Sequence, residues 1–415
     1  MQVKTLACGI CSTDIHRAQL PFPLPQITGH EVIGLYEDQY VAIDINASHR
    51  LTGAAGECEY CQGNLANHCP QRLTLGIDRL PGGFAPYILV PQFAIITLPK
   101  NLSLKVASVV EPFAAALHAV TSENIRPGDS IAIIGPRKLG ALLIFALHLW
   151  RKKNKCDFSL TSVIRNTNLA ALVLAAGSDG WIDSENVTDN SFDIVYDTSG
   201  SLDGLQLAMR AAKRTVHLKS TNGQTAFGIN VLTQIVIDEI SLLPLKICEA
   251  DANNRIVLID DSLPKTMKNN ICCMRPNSQI VYGDLLTVEG KEIALSSKFD
   301  EVFTGSLALV NKVVRNENGV SRIKPRGAIW IDDEHELQGT DLGIFFRNGK
   351  AIHTSRCGNF NKALEMLDDS SSESEQFIEE FITDEFSSKN FAGAFEKAKE
   401  DKAAIKVLVN FKEEN

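Results

Sequence analysis

Four side chains in the first third of the sequence are of the types that hold a metal ion. Cys11 offers a thiolate, His30 an imidazole, and Glu31 and Glu111 offer carboxylates. These groups bind Zn²⁺, and three protein ligands leave one position open for a substrate oxygen. Such an ion polarises an alcohol or carbonyl oxygen during hydride transfer. The sequence therefore predicts a catalytic zinc site built from Cys11, His30 and a carboxylate.

A further acidic residue, Asp14, lies three positions after Cys11. A histidine that ligates a metal usually donates its other ring N–H to a carboxylate or carbonyl, which fixes the orientation of the ring. We therefore predict Asp14 as the partner of His30. The alternative is a buried cysteine, a capping aspartate and a structural histidine without any metal, because cysteine is often simply buried.

Several short motifs together resemble one family, the zinc-dependent medium-chain alcohol, polyol and threonine dehydrogenases. The resemblance covers residues 3–250, resumes at residue 354, and continues to the end of the chain. The motifs that carry it are Gly9-Ile-Cys11-Ser-Thr13-Asp14-Ile-His16, Gly29-His30-Glu31, Pro81-Gly-Gly-Phe-Ala-Pro-Tyr87, Glu111-Pro112 and Thr354-Ser-Arg-Cys-Gly358.

The resemblance implies a role for each matching residue. Cys11, His30 and Glu111 match the positions of the catalytic zinc ligands, and Glu31 matches a residue that ligates or flanks the metal. Thr13 matches the hydroxyl that hands the substrate proton onward, and His16 matches the outer member of that relay. The chemistry agrees, since an alcohol loses a proton as well as a hydride and histidine titrates near neutral pH.

A second cluster of cysteines, Cys58, Cys61 and Cys69, follows a C-x₂-C-x₇-C pattern. The family's structural zinc lobe has four cysteines, and the first would fall at position 55, where this chain has Ala55. Three thiolates could hold zinc with a fourth donor from elsewhere, and His68 stands beside the last cysteine. A lobe that packs without metal is the alternative, because structural zinc sites normally have all four ligands.

A glycine turn at Gly135 and Gly140 predicts a dinucleotide site. The turn joins the apolar strand Ser130–Ile134 to a helix that begins near Leu139, where the helix N-terminus can receive a pyrophosphate. Arg137 occupies the position of the second glycine of the G-x-G-x-x-G motif. Its side chain could pair with phosphate or could fill the groove.

The residue after the second strand of this predicted fold bears on the choice of cofactor. Ile164 stands where an acidic residue would bind the ribose hydroxyls of NAD, and Arg165 follows it. An arginine there can accommodate the 2′-phosphate of NADP, so we favour NADP over NAD, although Arg165 could equally be a surface charge. Thr198 ends a later strand and resembles the family's segment beside the nicotinamide ribose.

The elements that position these residues predict an α/β protein of several units. The resemblance implies a GroES-like β catalytic domain at 1–118 and 376–415 and a Rossmann domain, a doubly wound parallel sheet, at 119–250 and 346–375. Residues 251–345 interrupt that plan, and we interpret them as a separate, inserted small α/β unit. The acidic stretch at 368–375 predicts a solvated loop.

Composition narrows the partners and the compartment. The chain has 415 residues, a formal net charge of -9 and 44% hydrophobic residues, so it can build several packed cores. The negative charge argues against nucleic acid or an anionic membrane as a partner. The sequence has no apolar run long enough to predict a signal peptide or a membrane span. Ten cysteines without a secretion signal therefore predict free thiols or metal ligands, and a cytoplasmic location.

We therefore predict a zinc-dependent dehydrogenase or reductase that uses NADP or NAD on a small alcohol/carbonyl substrate, such as a polyol, a sugar-derived alcohol or an amino alcohol. The resemblance also implies a homo-oligomer. The alternative is a catalytically degenerate relative that serves as a binding or assembly module, favoured by Ala55 and Arg137. A third hypothesis assigns the activity to residues 251–345, although no phosphate loop is found there.

Overall fold

A computed structural model describes residues 1–17, 25–53, 56, 58–220, 225–283, 295–315, 319–334 and 336–411. The elements of the first 121 residues are β1 Gln2–Gly9, α1 Ser12–Ile15, β2 Glu31–Tyr36, β3 Gln39–Ile43, β4 Asn46–Ala47, α2 His49–Thr52, α3 Glu59–Gln62, β5 Leu73–Leu75, β6 Arg79–Leu80, β7 Tyr87–Leu89, β8 Ile95–Thr97, α4 Leu104–Ala107 and α5 Val110–Thr121. The next elements are β9 Ser130–Ile134, α6 Lys138–Asn154, β10 Ser159–Ile164, α7 Ala170–Ala175, β11 Gly180–Asp183, β12 Phe192–Asp197, α8 Leu202–Ala211, β13 Ala212–Leu218, α9 Leu232–Ile237 and β14 Ser241–Pro244.

The remaining elements complete both sheets. They are β15 Ile256–Ile259, α10 Lys265–Met274, β16 Gln279–Tyr282, β17 Phe299–Thr304, α11 Leu307–Val314, β18 Ile323–Ile331, α12 Asp341–Arg347, β19 Ala351–Thr354, α13 Phe360–Asp369, α14 Ser371–Phe381, β20 Ile382–Ser387, α15 Phe391–Glu400 and β21 Lys406–Asn410.

Strands from both ends of the chain share one sheet. Its order is β20-β21-β1-β2-β3-β8, and β7 pairs with the first residues of β1. β1 is the central strand because most of its side chains are buried between β2 and β21. The late strands therefore complete the sheet on which the predicted metal ligands of the early chain lie.

A second sheet, of eleven strands, contains the predicted parallel Rossmann strands. Its order is β11-β10-β9-β12-β13-β19-β14-β18-β17-β15-β16. Continuous apolar runs such as Ile131–Ile134 fill the strands, because a parallel sheet covered by helices is buried on both faces. β9, β10, β12 and β13 are parallel and alternate with the helices α6, α7 and α8, so the predicted doubly wound parallel sheet is confirmed.

The inserted unit differs from the expected separate unit, because its strands continue the Rossmann sheet. β14, β18, β17, β15 and β16 are mutually parallel, and β14 meets β19 in an antiparallel pair at Leu242 and Ile352. The strands at 256–259, 279–282, 299–304 and 323–331 confirm the predicted α/β character. Edge strands offer unpaired N–H and C=O groups, and sharing one sheet satisfies them on both sides of the junction.

The acidic stretch at 368–375 is helical, so the prediction of a solvated loop was wrong. α13 ends at Asp369, α14 begins at Ser371, and Phe377 and Phe381 of α14 are almost fully buried. Glu373 pairs with His148 and Lys152 of α6. Composition missed the helix because its apolar positions come later in the chain and its charges are paired by another helix.

Helix α6 lies at the centre of the largest core. Phe145 of α6 packs against Phe113 of α5 and Phe377 of α14, at ring-centroid distances of 6.0 and 4.4 Å. α6 thereby joins the Rossmann sheet to the helices that lead back to the catalytic sheet. Among the described residues, no helix combines the length and the apolar character needed to cross a bilayer.

Candidate functional site

The structure brings Cys11, His30 and Glu31 together. One donor atom from each side chain lies within 4.8 Å of the others. Cys11 caps α1 directly after β1, and Glu31 begins β2, opposite Gly9 in the antiparallel pair of the two strands. The pairing register therefore sets the thiol beside the imidazole, as the sequence predicted. A thiolate, an imidazole and a carboxylate at this spacing fit a zinc ion.

Asp14 is buried behind His30. One carboxylate oxygen accepts the backbone N–H of Cys11 at 2.9 Å, and the other accepts the N–H of Gly29 at 3.1 Å. The second oxygen also lies 3.8 Å from Nδ1 of His30. Nδ1 is buried and has no closer hydrogen-bond partner in the described part of the chain. Asp14 thus occupies the place of the partner that orients a metal-ligating histidine.

Glu31 forms an ion pair with the ammonium group of Lys406, from strand β21. Both side chains are almost fully buried, at 2% and 5% exposure. Gly9 leaves room for the pair, since a Cβ there would overlap the Glu31 carboxylate and lie 2.8 Å from Cε of Lys406. The ammonium group already neutralises the Glu31 carboxylate. Glu31 therefore flanks the thiol and the imidazole but is less available than an unpaired carboxylate as a metal ligand.

Lys406 was missed by the sequence analysis. The signal was present, because a single lysine interrupts the otherwise apolar run from Ala404 to Val409. A lysine in a buried strand needs a carboxylate partner. The sequence does not reveal that the partner is Glu31, which is 375 positions away.

Glu111 lies in the first turn of α5 and is within electrostatic range of His30. Burial raises the pKa of the Glu111 carboxyl, while the positive charges of His30 and Lys219 act to lower it. Its oxygens lie outside the 4.8 Å cluster formed by Cys11, His30 and Glu31. The structure therefore places Glu111 near the site without bringing it to ligand distance, and its role as the third ligand stays a prediction.

The charges in this pocket favour a cation. Burial by itself would lower the pKa of His30, but the charges of Asp14, Cys11 and Glu111 raise it to about 10. Burial acts to raise the pKa of the Cys11 thiol, and the positive charge and hydrogen bond of His30 bring it below its usual value. The lowered pKa of the thiol and the raised pKa of the imidazole favour opposite charges on the two groups, and a divalent cation would supply the same compensation to the thiolate.

Thr13 and His16 lie on the short helix α1. The hydroxyl of Thr13 is 3.8 Å from Sγ of Cys11, at the edge of the site. His16 caps the other end of the helix, is exposed, and has Nδ1 3.0 Å from the carbonyl oxygen of Ser12. One helical turn thus separates a hydroxyl at the candidate metal site from a titratable ring at the surface.

The three cysteines of the second cluster also meet, and a fourth donor joins them. Sγ of Cys58, Cys61 and Cys69 and a ring nitrogen of His49 lie within 4.8 Å of one another. Ala55 lies outside the described residues. His68, the neighbouring donor that the sequence suggested, instead pairs with Glu239 at 3.4 Å. His49 was not predicted as a donor because it lies nine positions before the cysteine pattern, in a different helix.

The glycine turn after β9 has the close backbone packing that the glycine motif predicts. Gly135 has a φ of +77°, and a Cβ at Gly140 would come within 2.5 Å of the Gly135 carbonyl oxygen. The Thr198 hydroxyl donates to the carbonyl oxygen of Gly135 at 2.8 Å. Thr198 therefore closes the turn from the neighbouring strand β12. Leu139 packs against the main core beneath the turn.

Arg137 points across the junction between the two sheets. Its guanidinium donates to the carbonyl oxygens of Lys402 and Ala404, at 2.6 and 3.1 Å. Its neighbour Lys138 lies within electrostatic range of Cys11. The dinucleotide turn and the candidate metal site therefore face each other. In this conformation Arg137 ties the turn to the segment before β21.

Arg165 is exposed after β10, at the border of a surface cavity of about 570 Å³. Acidic and basic side chains both line this cavity, among them Glu185, Asp203, Arg210 and Lys350. The structure places Arg165 at the end of the second Rossmann strand, as the sequence predicted, and leaves its side chain accessible to a ligand.

Comparisons with known proteins agree with this architecture. Residues 1–100 match the family described as "Alcohol dehydrogenase GroES-like domain". A sorbitol dehydrogenase of Bacillus subtilis (strain 168) is 25% identical over 230 residues, which are 51% of this chain and 65% of that protein. An L-threonine 3-dehydrogenase of Yersinia enterocolitica is 29% identical over 157 residues, which are 34% of this chain and 44% of that protein. The chain therefore spans less than two thirds of the length of either relative.

A solved structure extends the likeness to the whole fold. A protein of Sinorhizobium meliloti 1021, described as a zinc-binding dehydrogenase bound to NADP, has a TM-score of 0.56 and 17% sequence identity, with 99% of this chain and 91% of that chain covered. At this identity the likeness concerns the fold, and the predicted GroES-like and Rossmann architecture is confirmed.

Proposed function

We propose that this chain, a relative of the zinc-dependent medium-chain dehydrogenases, is an oxidoreductase that transfers a hydride between a nicotinamide cofactor and the carbon of a small alcohol/carbonyl pair. One observation carries the proposal. Donor atoms of Cys11, His30 and Glu31 lie within 4.8 Å of one another. The dinucleotide turn is close to them, because Lys138, at the end of the turn, is within electrostatic range of Cys11. A metal site and a dinucleotide turn that lie this close together have the parts that hydride transfer requires.

The residues present fit a zinc ion in this cleft. Cys11 and His30 would hold it, and Glu111 is the carboxylate best placed to complete the set, because Glu31 is neutralised by Lys406. When bound, zinc polarises the substrate oxygen and stabilises developing alkoxide charge. Two backbone N–H groups fix the Asp14 carboxylate 3.8 Å from Nδ1 of His30, where it would orient the ring.

The proton of the alcohol needs a separate route. The Thr13 hydroxyl, 3.8 Å from Sγ of Cys11, is placed to accept it at the edge of the site. His16 stands at the exposed end of the same helical turn and passes the proton to solvent. A hydroxyl followed by an imidazole matches the needs of general base catalysis near neutral pH.

The cofactor is NADP or NAD, with NADP preferred. Gly135 and Gly140 let the backbone approach a pyrophosphate at the amino end of α6, and a helix N-terminus attracts phosphate. Arg165 is exposed where the ribose phosphate of NADP would lie, and no acidic residue follows β10 at this position. The Sinorhizobium protein with the same fold was described as bound to NADP.

The substrate class follows the relatives. One is named for sorbitol, a polyol, and the other for L-threonine, an amino alcohol. A polyol, a sugar-derived alcohol or an amino alcohol is therefore the proposed substrate. We further propose a cytoplasmic location, which suits cysteines that are free thiols among the described residues. Assembly as a homo-oligomer stays a prediction.

One observation favours the alternative of a binding module without catalysis. The Arg137 side chain stands at the position of a motif glycine, and its guanidinium donates to the carbonyl oxygens of Lys402 and Ala404 beside the dinucleotide turn. If that contact persists, the pyrophosphate has less room. Cofactor binding therefore separates the two candidates.

The test is a titration of the purified protein with NADPH and with NADH, followed by nicotinamide fluorescence. We expect NADPH to bind more tightly, and Arg165→Ala to weaken NADPH binding about tenfold while changing NADH binding little, since a charge-assisted phosphate contact is lost. Arg210→Ala, at a second arginine that lines the same cavity, is the matched control. A protein that binds neither nucleotide is the binding module. Equal effects of Arg165→Ala on both nucleotides contradict the preference for NADP.

A screen of polyols, sugar alcohols, amino alcohols and their ketones with the nucleotide that binds then identifies the substrate. Turnover with any of them supports the dehydrogenase. Tight nucleotide binding without turnover across these classes contradicts the proposed substrate class.

A further inference from the structure

The second cysteine cluster contains four possible metal ligands that nearly enclose one point. Sγ of Cys58 and Sγ of Cys69 are 3.7 Å apart, and Nδ1 of His49 is 3.2 Å from Sγ of Cys69. With Cys61, whose side chain is buried, all four donor atoms lie within 4.8 Å of one another. Ligand atoms around a tetrahedral zinc ion lie about 3.2–3.8 Å from one another, as bond lengths of about 2.0–2.3 Å require.

Short helices and a turn within residues 49–69, here called the cysteine lobe, position these four donors. His49 is the first residue of α2, directly after β4, and Cys58 caps α3, which contains Cys61. Cys69 follows a short 3₁₀ turn at Ala66–His68. Arg50, next to His49, donates to the carbonyl oxygen of Cys61 at 2.5 Å and so ties α2 to α3.

The hydrogen bonds of His49 leave the correct nitrogen for a metal. Nε2 of His49 lies 2.8 Å from the side-chain oxygen of Gln71. An amide oxygen only accepts hydrogen bonds, so Nε2 carries the proton and donates it. In the neutral ring Nδ1 then carries the lone pair, and Nδ1 is the atom that faces Cys69. A metal-ligating histidine is oriented in this way by a partner on its other nitrogen.

Backbone N–H groups surround the sulfur atoms. Burial acts to raise the pKa of Cys58, but a hydrogen bond from the Cys61 backbone and the neighbouring donors lower it overall. Cys69 also receives backbone hydrogen bonds from His49 and Gln71, which act to lower its pKa, but burial and the neighbouring sulfur atoms of Cys58 and Cys61 raise that pKa to about 11 in the absence of a metal ion. Thiolates that ligate zinc carry negative charge, and such N–H donors stabilise it.

We propose that His49, Cys58, Cys61 and Cys69 form a closed structural zinc site, in which His49 supplies the fourth ligand that position 55 lacks. Four protein ligands leave no open position, so the ion stabilises structure and takes no part in hydride transfer. This proposal is independent of the proposed function, because it concerns a different set of ligands.

The site also bears on how the inserted unit docks. The Glu59 carboxylate, between Cys58 and Cys61, accepts the backbone N–H of Ser296 at 2.7 Å and its hydroxyl at 3.1 Å. Nζ of Lys298 lies 5.6 Å from the centre of the Tyr60 ring. Because both contacts come from α3, zinc that fixes α3 also fixes the surface on which the segment before β17 rests.

The test is zinc analysis in a Cys11→Ser background, which removes the ion of the candidate catalytic site. We expect about one zinc per chain in this variant and less than about a tenth of that after His49→Ala is added. His49→Cys in the same background should keep the zinc, because it restores four ligands. His68→Ala, beside Cys69, is the matched control and should also keep it.

Three further measurements distinguish loss of a zinc ligand from unfolding of the lobe. Cobalt substituted for zinc should give the intense visible absorption of a tetrahedral thiolate site, and His49→Cys should shift that absorption as sulfur replaces nitrogen. Gln71→Ala, at an exposed residue, should weaken zinc affinity about 10–100-fold without unfolding the lobe. Hydrogen exchange at residues 296–304 should rise when zinc is removed by a chelator.

Particular results overturn the proposal. A Cys11→Ser protein without zinc, or a His49→Ala variant in that background that keeps its zinc, contradicts it. A cobalt spectrum that His49→Cys leaves unchanged contradicts the assignment of His49. If instead wild type and Cys11→Ser carry the same single zinc, the closed site stands and the proposed catalytic site fails.

Discussion

The two cysteine-containing clusters differ in their surroundings. Around Cys11 and His30 lie the ionisable groups of Asp14, Glu111 and Lys406. Burial acts to lower the pKa of His30, but the charges of Asp14, Cys11 and Glu111 raise it to about 10. In the cluster of His49 and three cysteines, backbone N–H groups donate to Cys58 and Cys69, and the amide of Gln71 binds His49. A site that stabilises changing charge needs ionisable neighbours, whereas a site that only closes a loop needs a complete ligand set.

The clusters also differ in how much of the chain builds them. The first needs β1, β2 and β21, so that residue 406 must return to residue 31. The second uses residues 49–71 only. We infer that the first cluster forms only in the folded sheet, while the second can gather locally around its metal.

The largest expected effect is on catalysis at the first cluster. Cys11→Ser should lower turnover by at least about a thousandfold, since several kcal/mol of charge stabilisation are lost with the metal. The melting temperature should change little, because no closed ligand set is disturbed. Steady-state kinetics, zinc analysis and calorimetry measure this, with Cys156→Ser as a control outside both clusters. Undiminished turnover would falsify the metal mechanism.

The next effect concerns the ion pair between Glu31 and Lys406. Lys406→Met should destabilise the fold by about 3–5 kcal/mol, because it leaves a buried carboxylate without its partner. Adding Glu31→Gln should recover part of this loss, and urea unfolding of the two single variants and the double variant gives the coupling free energy.

Glu31→Gln alone also sharpens the contrast between the clusters. If Glu31 flanks the metal, this variant keeps the zinc of the first cluster. Loss of that zinc, to the extent seen with Cys11→Ser, would instead make Glu31 a ligand.

A third buried cluster, without cysteine, should respond to pH and not to a chelator. Glu123 lies 2.7 Å from Nδ1 of His217 and 3.0 Å from Nδ1 of His353. Burial acts to raise the pKa of Glu123, but hydrogen bonds from both histidines lower it to about 2 from an ordinary 4.5. Its stabilising contribution is therefore present above pH 4.5 and is lost as the pH falls from 4.5 towards 2.

His353 sets the upper limit of this range. Burial acts to lower its pKa, but Glu123 raises it above 6.5, so its contribution is full below pH 6.5 and falls as the pH rises through the raised value. Glu123→Gln should thus cost about 2–3 kcal/mol near pH 5.5 and less near pH 3.5. Urea unfolding at both pH values measures this, and Glu379→Gln, at an exposed carboxylate, is the control. An equal cost at both pH values contradicts the assignment.

Much of the architecture could be predicted, because local patterns determine it. Apolar runs such as Ser130–Ile134 are long enough for buried strands, and Gly135 and Gly140 mark the turn that follows. Cys11, His30 and Asp14 could also be placed together, since their chemical types require one another around a metal. The structure brings these three side chains together.

The features that the sequence did not reveal depend on distant contacts. His49 and Lys406 are ordinary residues in the sequence until the fold sets them beside Cys69 and Glu31. The acidic helix α14 is stabilised by partners on α6. The inserted strands were predicted, but their membership of the Rossmann sheet depends on the single antiparallel junction at Leu242 and Ile352.

That junction reverses the direction of the strands halfway across the eleven-stranded sheet. The carboxyl ends of β9 and β12 therefore point to one side of the molecule, and those of β15, β17 and β18 point to the other. Glu239 and Lys298, at the amino ends of β14 and β17, accordingly meet the cysteine lobe. Loops at the opposite rim of the insertion can change in length or composition without entering the nucleotide cleft.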